Sequence, residues 1–261
     1  MNDFGEKWIV GGLQGLGQIT LLARDAVASC LTFKLTKRDL LYQIYSIGVK
    51  SQSVTLVTGA FTGMVMAAQT YYQFHKVKMD TATLSVVSVS MCSELGPVLT
   101  ALMVAGRVGA SMAAELGTMR VTEQIDALRT LASHPVDYLV VPRLLAGLVA
   151  LPVLTAESMS IGIASAYMVG VYLLGIDPGY AWWNMLKYTH DVDVQIGIAK
   201  SFVYGGIIAL IGCYKGLTCG MGAEGVGRAT TEAVVYASIS ILISNFFLTL
   251  VLEKIAFMFQ L

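Results

Sequence analysis

The chain has 261 residues, of which 56% are apolar and 13% are charged, and its mean hydropathy is +0.69. An average soluble domain carries about 25% charged residues, so this composition predicts a protein whose surface largely faces lipid. The 17 basic and 17 acidic residues balance. The sequence therefore shows no basic surface of the kind that binds nucleic acid.

The four cysteines, Cys30, Cys92, Cys213 and Cys219, include no C-x-x-C pair, and the chain has only three histidines. This pattern predicts neither a disulfide framework nor a metal site. We interpret the cysteines as small apolar residues within helices.

Residues 1–40 are predicted to form a separate N-terminal segment. Its first residues lack the positively charged region of a signal peptide. Apolar residues recur at helical spacing through residues 4–31, with polar residues between them, which is typical of an amphipathic helix lying in the membrane interface. A weak first membrane span is the alternative. A basic linker containing Lys34, Lys37 and Arg38 follows.

Residues 41–261 contain five apolar stretches that are long enough to cross a membrane, since about 20 helical residues span a hydrocarbon core of about 30 Å. The predicted spans cover about residues 47–72, 81–105, 143–175, 196–215 and 233–258. The third stretch is too long for one upright helix and contains Pro152 and Glu157, so we expect it to be tilted or broken.

The basic residues predict a cytoplasmic N-terminus. In that orientation twelve lysines and arginines lie on the cytoplasmic side and five lie outside, as expected if cytoplasmic loops carry the excess of positive charge. The five outside residues are Lys76, Lys78, Lys187, Lys200 and Lys254. Five crossings then place the C-terminus outside.

Two G-x-x-x-G pairs lie within the predicted spans. Gly59 and Gly63 form the first, and Gly212 and Gly216 form the second. Small residues at this spacing let helix backbones approach closely in lipid, so both pairs are predicted to mark helix contacts.

The second predicted span contains a carboxylate beside a proline, with Ser93, Glu94 and Pro97 close together. A carboxylate at membrane depth is expensive and is expected to face a protein interior, an aqueous cavity or a partner. Pro97 removes a backbone hydrogen bond and predicts a kink. We interpret these residues as part of a widened, polar place in the bundle. A purely structural glutamate, bonded to a neighbouring hydroxyl or amide, is the alternative.

The segment between the second and third spans is unusually polar for this chain. Within it Val121, Ile125 and Leu128 keep the i, i+4, i+7 spacing of a helix with one apolar stripe, and Asp126 and Arg129 can pair at i, i+3. Its nearly neutral charge disfavours binding to lipid headgroups. The stripe is therefore expected to contact a protein partner.

The chain shows no sequence that would bind ATP or perform catalysis. It has no G-x-x-x-x-G-K-[ST] run, no H-E-x-x-H and no G-x-S-x-G. If ATP drives this protein, the nucleotide site lies on another polypeptide. A secondary transporter or channel for a small amphiphile, without an ATPase partner, is the alternative, although Glu94 and Glu157 are the only acids inside the predicted spans that could couple an ion. A membrane scaffold is a third class.

A series of motifs, in order along the chain, resembles the MlaE/YrbE permease family. The motifs are Glu94-Leu95-Gly96-Pro97, Gly106-Arg107, Ala114-Glu115-Leu116-Gly117, Glu123-Gln124-Ile125-Asp126-Ala127-Leu128, Tyr138-Leu139-Val140-Val141-Pro142-Arg143 and Gly225-Val226-Gly227-Arg228-Ala229-Thr230-Thr231. The similarity covers about residues 40–258.

The resemblance implies the permease of an ABC transporter that works with MCE-domain proteins in the inner membrane of a diderm bacterium. Such a permease is a homodimer. Two ATPase subunits, which carry the ATP and Mg²⁺, bind its cytoplasmic side, and a ring of MCE-domain subunits docks on its periplasmic side. The cargo is typically phospholipid that moves between the inner and outer membranes. The permease itself carries no cofactor, metal or catalytic residue.

The resemblance also implies roles for particular residues. The segment 107–142 would couple to the ATPase, and Ser93, Glu94 and Pro97 would lie in or near a lipid pocket at the dimer interface. The residues expected to contact the ATPase are Glu115, Arg120, Glu123, Gln124, Asp126 and Leu128. The chain departs from some members in having Ser93 where they carry an arginine, a residue that could hold a phosphate headgroup.

Overall fold

The computed structural model describes residues 2–32, 37–131 and 134–258, and all regular structure within those ranges is helical. The predicted all-α class is confirmed. The α-helices are α1 (Asn2–Thr32), α2 (Lys37–Ile44), α3 (Lys50–His75), α4 (Thr83–Ser90), α5 (Gly96–Val104), α6 (Ala110–Val121), α7 (Gln124–Thr130), α8 (Val141–Met168), α9 (Pro178–Tyr188), α10 (Asp191–Leu217) and α11 (Gly222–Met258). Several are joined into longer helices by the π-helical turns Tyr45–Val49, Met91–Leu95, Ala105–Gly109, Val136–Val140 and Val169–Leu173.

Within the described residues, four of these helices are long and apolar enough to cross a membrane: Asp80–Val121, Val136–Leu173, Asp191–Leu217 and Gly222–Met258. They contain the second to fifth predicted spans. The chain is therefore a multi-pass helical membrane protein.

The first predicted span, residues 47–72, lies mostly on α3, which is less apolar overall than those four helices. The buried face of α3 repeats every four residues and consists of Ser51, Thr55, Gly59, Gly63 and Ala67. Its outer face instead presents large apolar side chains, such as Phe61, which is 63% exposed. The small and polar residues that α3 packs against the protein lower its mean hydropathy. Its opposite face is nevertheless apolar and can contact lipid. The crossing by α3 stays a prediction.

The structure differs from the predicted boundaries at three places. The second span does not end near residue 105, because the helix continues to Val121 and buries Met112 and Leu116. The third continues through a buried Pro152 without a break. The last begins at Gly222 rather than near residue 233, and α10 and α11 are joined by a short turn.

Both G-x-x-x-G pairs lie at helix contacts, as predicted. A Cβ atom on Gly59 would be 2.6 Å from the carbonyl oxygen of Ser158 on α8, and Gly63 lies directly against Gly162 of the same helix. A Cβ atom on Gly212 would be 3.3 Å from the carbonyl oxygen of Gly109. These approaches are too close for a larger side chain, so the glycines set the spacing of the helices.

The bundle is organised around α10, which packs against α5, α6, α8 and α11. Its Tyr204 is completely buried. By contrast, α11 leaves most of its apolar side chains exposed, among them Phe246 and Phe247. The helix α1 packs on one end of the bundle through the fully buried Ala26, while its predicted position in the membrane interface stays a prediction.

Candidate functional site

An ion pair lies inside the bundle, between α10 and the π-helical turn Met91–Leu95. Lys200 Nζ is 2.6 Å from Glu94 Oε1. The lysine side chain is 0% exposed, whereas the glutamate side chain is 34% exposed. The carboxylate therefore lies on the more exposed side of the pair, and the ammonium group is fully buried behind it.

Lys200 has a partner for each of its three ammonium hydrogens. Besides Glu94, its Nζ donates to the backbone oxygen of Ser93 at 3.0 Å and to Thr249 Oγ1 of α11 at 2.8 Å. An ammonium group has three donors and no acceptor, so this set satisfies it completely. A buried lysine charge is tolerated only under such conditions.

Pro97 explains why the oxygen of Ser93 is free to accept from Lys200. In an α-helix that oxygen would receive the backbone N–H of residue 97, but proline has none. The turn that contains Glu94 is π-helical and ends directly before Gly96, and such turns often occur at functional sites. The helix is therefore wound more widely just before Pro97, and the free oxygen binds Lys200, which the sequence analysis counted among the basic residues on the outer side.

The second oxygen of Glu94 is held by α11. Asn245 Nδ2 donates to Glu94 Oε2 at 3.0 Å, and Thr249 Oγ1 lies 2.8 Å from Glu94 Oε1. Tyr204 Oη in turn donates to Asn245 Oδ1 at 2.7 Å. Glu94, Lys200, Tyr204, Asn245 and Thr249 thus form one connected group, called here the Glu94 network, which ties three membrane helices together.

Gly197 brings α10 close enough for the Glu94 network to form. It lies three residues before Lys200, directly against the backbone oxygen of Cys92, and a Cβ atom there would be 3.1 Å from Pro97 Cγ. The absence of a side chain lets the helix backbone approach the widened turn. A larger residue at this position would push Lys200 away from its partners.

The hydroxyl group of Ser93 is bonded within its own helix. Its Oγ donates to the backbone oxygen of Val89, four residues earlier. Ser93 therefore contributes to the site through its backbone oxygen, which binds Lys200. The nearby cationic group in this chain is the ammonium group of Lys200 on α10.

The polar segment after the second span forms an elbow, defined here as residues 122–131. The helix α6 ends at Val121, and Glu123 adopts the left-handed conformation with φ of 58° before α7 begins. Asp126 Oδ1 pairs with Arg129 Nη1 at 3.1 Å, as predicted, and both side chains are exposed.

The elbow differs from the single amphipathic helix that the sequence predicts. The turn at Glu123 separates Val121 from Ile125 and Leu128, so the three do not form one continuous stripe. Ile125 is 4% exposed and packs into the core of its own chain, with Leu128 partly buried beside it. The stripe is thus largely covered by the same chain, and the elbow exposes the polar side chains of Gln124 and Asp126 together with Leu131, which is 74% exposed.

Two of the residues predicted for the ATPase contact lie on α6 rather than on the elbow. Glu115 Oε2 accepts from Arg143 Nη2 at 3.0 Å, and Arg143 is 6% exposed. Arg120 Nη1 donates to the backbone oxygen of Leu217, at the end of α10. All five of the charged and amide residues predicted for the contact are exposed, but Glu115 and Arg120 are bonded to other membrane helices, whereas Asp126 pairs only within the elbow.

The sequence analysis missed Lys200, Asn245 and Thr249. Lys200 falls four residues inside the predicted fourth span but was counted among the outside charges. A buried carboxylate calls for a cation, so Lys200 within an apolar stretch was an available signal. Asn245 and Thr249 share one helix face at i, i+4, but nothing local connects them to Glu94.

Comparison with known proteins places this helical membrane chain in a class. Residues 40–251 match the family model described as Permease MlaE. A "Probable ABC transporter permease protein" of Rickettsia conorii is 44% identical over 254 residues, which cover 97% of this chain and 98% of the relative. A protein of the same description from Synechocystis sp. is 44% identical over 250 residues, covering 95% of each chain.

A plant protein is also similar. "Protein TRIGALACTOSYLDIACYLGLYCEROL 1, chloroplastic", from Arabidopsis thaliana, is 37% identical over 243 residues, which cover 93% of this chain and 68% of the relative. The membrane helices, the Glu94 network and these matches define a membrane permease subunit. More particularly, the chain belongs to the MlaE permease family.

Proposed function

We propose that this permease is the membrane subunit of an ATP-driven transporter that moves phospholipids between the inner and outer membranes of a bacterium. It acts as a homodimer, with ABC ATPase subunits on the cytoplasmic side and a ring of MCE-domain proteins on the periplasmic side. Its N-terminus is cytoplasmic and its C-terminus is periplasmic. The single observation that carries the proposal is the Glu94 network, a charged group buried among apolar helices.

The elbow supports an ATPase partner on the cytoplasmic side. Its polar face is exposed, and its apolar residue Ile125 anchors it to the bundle. Directly before it, Arg120 donates to Leu217 at the end of α10. A force applied to the elbow therefore reaches α10, the helix that carries Lys200. Relatives described as ABC transporter permeases agree with such a partner, and the ATP and Mg²⁺ belong to that partner.

The lipid cargo is supported by the chemistry of the site and by one relative. The name of the plant relative contains that of a glycerolipid. In this chain α11 binds the partly exposed Glu94 carboxylate through Asn245 and also carries exposed apolar side chains, such as Phe246. A charged group next to an apolar surface suits an amphiphile, because one part of such a ligand is polar and the other is not.

The exposed apolar surface of α11 also supports a homodimer. Little of the apolar surface of α11 is buried within one chain, since Phe246, Phe247 and Leu250 are all more than half exposed. A second copy placed against α11 would bring two Glu94 networks near each other. ATP-driven closure of the two ATPases would then move the elbows, shift α10 and open the contact between Lys200 and Glu94. The lipid headgroup would be released when the pair re-forms.

The elbow can be tested by reversing its exposed charges. The double variant Glu123→Lys and Asp126→Lys should lose binding to the proposed ABC ATPase partner, measured by co-purification, while membrane insertion stays normal. Asp191→Lys, an exposed change at the start of α10, is the matched control and should co-purify normally. Undiminished ATPase binding by the double variant would show that the elbow is not the coupling contact.

A further inference from the structure

A second polar site lies on the other side of α8, away from the Glu94 network. It is a lateral groove of about 150 Å³ between α8 and the helix formed by α2, the turn Tyr45–Val49 and α3. The groove has apolar walls and a polar floor, formed by Ile44, Val49, Val149, Val153, Gln52 and Glu157. Val49 is 54% exposed and Val153 is 56% exposed, so the walls open toward the surrounding lipid.

The carboxyl group at the floor is only half satisfied. Gln52 Nε2 donates to Glu157 Oε1 at 3.3 Å. The other oxygen, Oε2, is buried and has no hydrogen-bond partner among the described residues. A buried polar atom without a partner costs about 1–3 kcal/mol, and the cost of a carboxyl group is greater in lipid. A ligand in the groove could therefore donate a hydrogen bond to Glu157 Oε2.

The level of the groove fits a lipid headgroup. Gln52, which donates to Glu157, directly follows Ser51 on α3, and Ser51 accepts a hydrogen bond from Arg107 Nη1. The Glu157 carboxyl group therefore lies near the level of Arg107, whose charge is expected close to a membrane surface rather than at the bilayer centre. A lipid headgroup can reach this level.

We propose that this groove binds a membrane lipid whose headgroup carries a primary ammonium group. The described residues that line it include an acidic and an amide side chain but no basic one, so the floor attracts a donor and offers nothing to an anion alone. An ammonium group supplies the missing donor and a complementary charge. The valine walls accommodate the start of an acyl chain. The site goes beyond the proposed function, because it requires neither the ATPase nor transport.

The experiment uses the full-length chain in nanodiscs with photoactivatable phosphatidylethanolamine or phosphatidylglycerol of identical acyl chains. The first headgroup has an ammonium group and the second has hydroxyls in its place. Crosslinks are mapped to α8 by mass spectrometry. Phosphatidylethanolamine should label the segment around Val153, and Glu157→Gln should lower that labelling about tenfold, the factor that matches the loss of one charged hydrogen bond of about 1.4 kcal/mol.

Glu253→Gln, at an exposed acid of α11, is the matched control and should label normally. Val153→Phe keeps the carboxyl group but fills the groove, so it should also remove the label. If Glu157→Gln does not fold, the labelling of Val153→Phe tests the proposal instead. Equal labelling by the two lipids, or unchanged labelling of both variants, would overturn the proposal.

Discussion

Two carboxyl groups inside the helical bundle, Glu94 and Glu157, are held in opposite ways. Glu94 accepts from Lys200, Asn245 and Thr249, so both of its oxygens are bonded. Glu157 accepts from Gln52 alone and leaves one oxygen without a partner among the described residues. The comparison shows that an intramembrane acid does not by itself indicate a role. An acid whose oxygens are all bonded connects helices, whereas an acid with an unbonded oxygen can bind a ligand.

Lys200→Met should produce the largest effect. It removes the cation, so the Glu94 carboxylate loses its counter-charge and the Ser93 oxygen loses its donor, and we expect a loss of about 3–5 kcal/mol in the free energy of unfolding. Thermal unfolding of the protein in detergent measures it. The double variant Glu94→Gln and Lys200→Met should recover part of the loss, because no unpaired charge remains. If Lys200→Met were as stable as the native chain, the pair would not hold the bundle together.

Gly197→Leu should come next. The new side chain would meet Cys92 and Pro97 and push α10 away from the turn, at a cost of about 1–3 kcal/mol. Gly206, where a Cβ atom would meet only Leu148 Cδ2 at 3.7 Å, offers a matched control on the same helix. Gly206→Leu should lower the melting temperature less than Gly197→Leu. Equal decreases in melting temperature would show that the close approach at Gly197 does not contribute more to stability than the looser packing at Gly206.

Asn245→Ala should have a smaller effect than either. It removes the donor to Glu94 Oε2 and the acceptor of Tyr204, but Lys200 keeps its three partners. Hydrogen bonds between membrane helices contribute about 0.6 kcal/mol on average and at most about 1.7 kcal/mol, so the loss should lie within that range. A loss as large as that of Lys200→Met would place the amide, rather than the ion pair, at the centre of the network.

Glu157→Gln should change stability least. The native group makes one weak bond at 3.3 Å and leaves one oxygen unbonded, so we expect the free energy of unfolding to fall by no more than about 0.6 kcal/mol or to rise slightly. Unfolding in detergent, with the ammonium lipid removed, measures this. A loss of several kcal/mol would mean that Glu157 has a structural partner, and the contrast with Glu94 would disappear.

The sequence predicted the parts of this molecule that depend on local pattern. Long apolar stretches predicted the membrane helices, and the spacing of Gly59 and Gly63 predicted a helix contact. The extension of the second span to Val121 was missed, because α6 is buried by neighbouring helices rather than by lipid. Its Glu115 and Arg120 made the segment resemble a solvated loop.

The Glu94 network could be predicted only in part. Glu94 and Pro97 are adjacent in sequence, and their combination indicated a polar place. The partners come from helices more than a hundred residues further along the chain, and their pairing depends on how those helices cross. The elbow shows the same limit, since the left-handed turn at Glu123 is carried by a residue that does not favour that conformation.

The most direct test of the account is lipid transfer by the reconstituted transporter. The chain and the proposed ATPase and MCE-domain partners are placed in one set of vesicles with a fluorescent phospholipid, and transfer to acceptor vesicles is followed with and without ATP. The account predicts ATP-dependent transfer that is abolished in the folded double variant Glu94→Gln and Lys200→Met and kept in Glu253→Gln. Transfer that is independent of ATP, or is unchanged in the double variant, would contradict it.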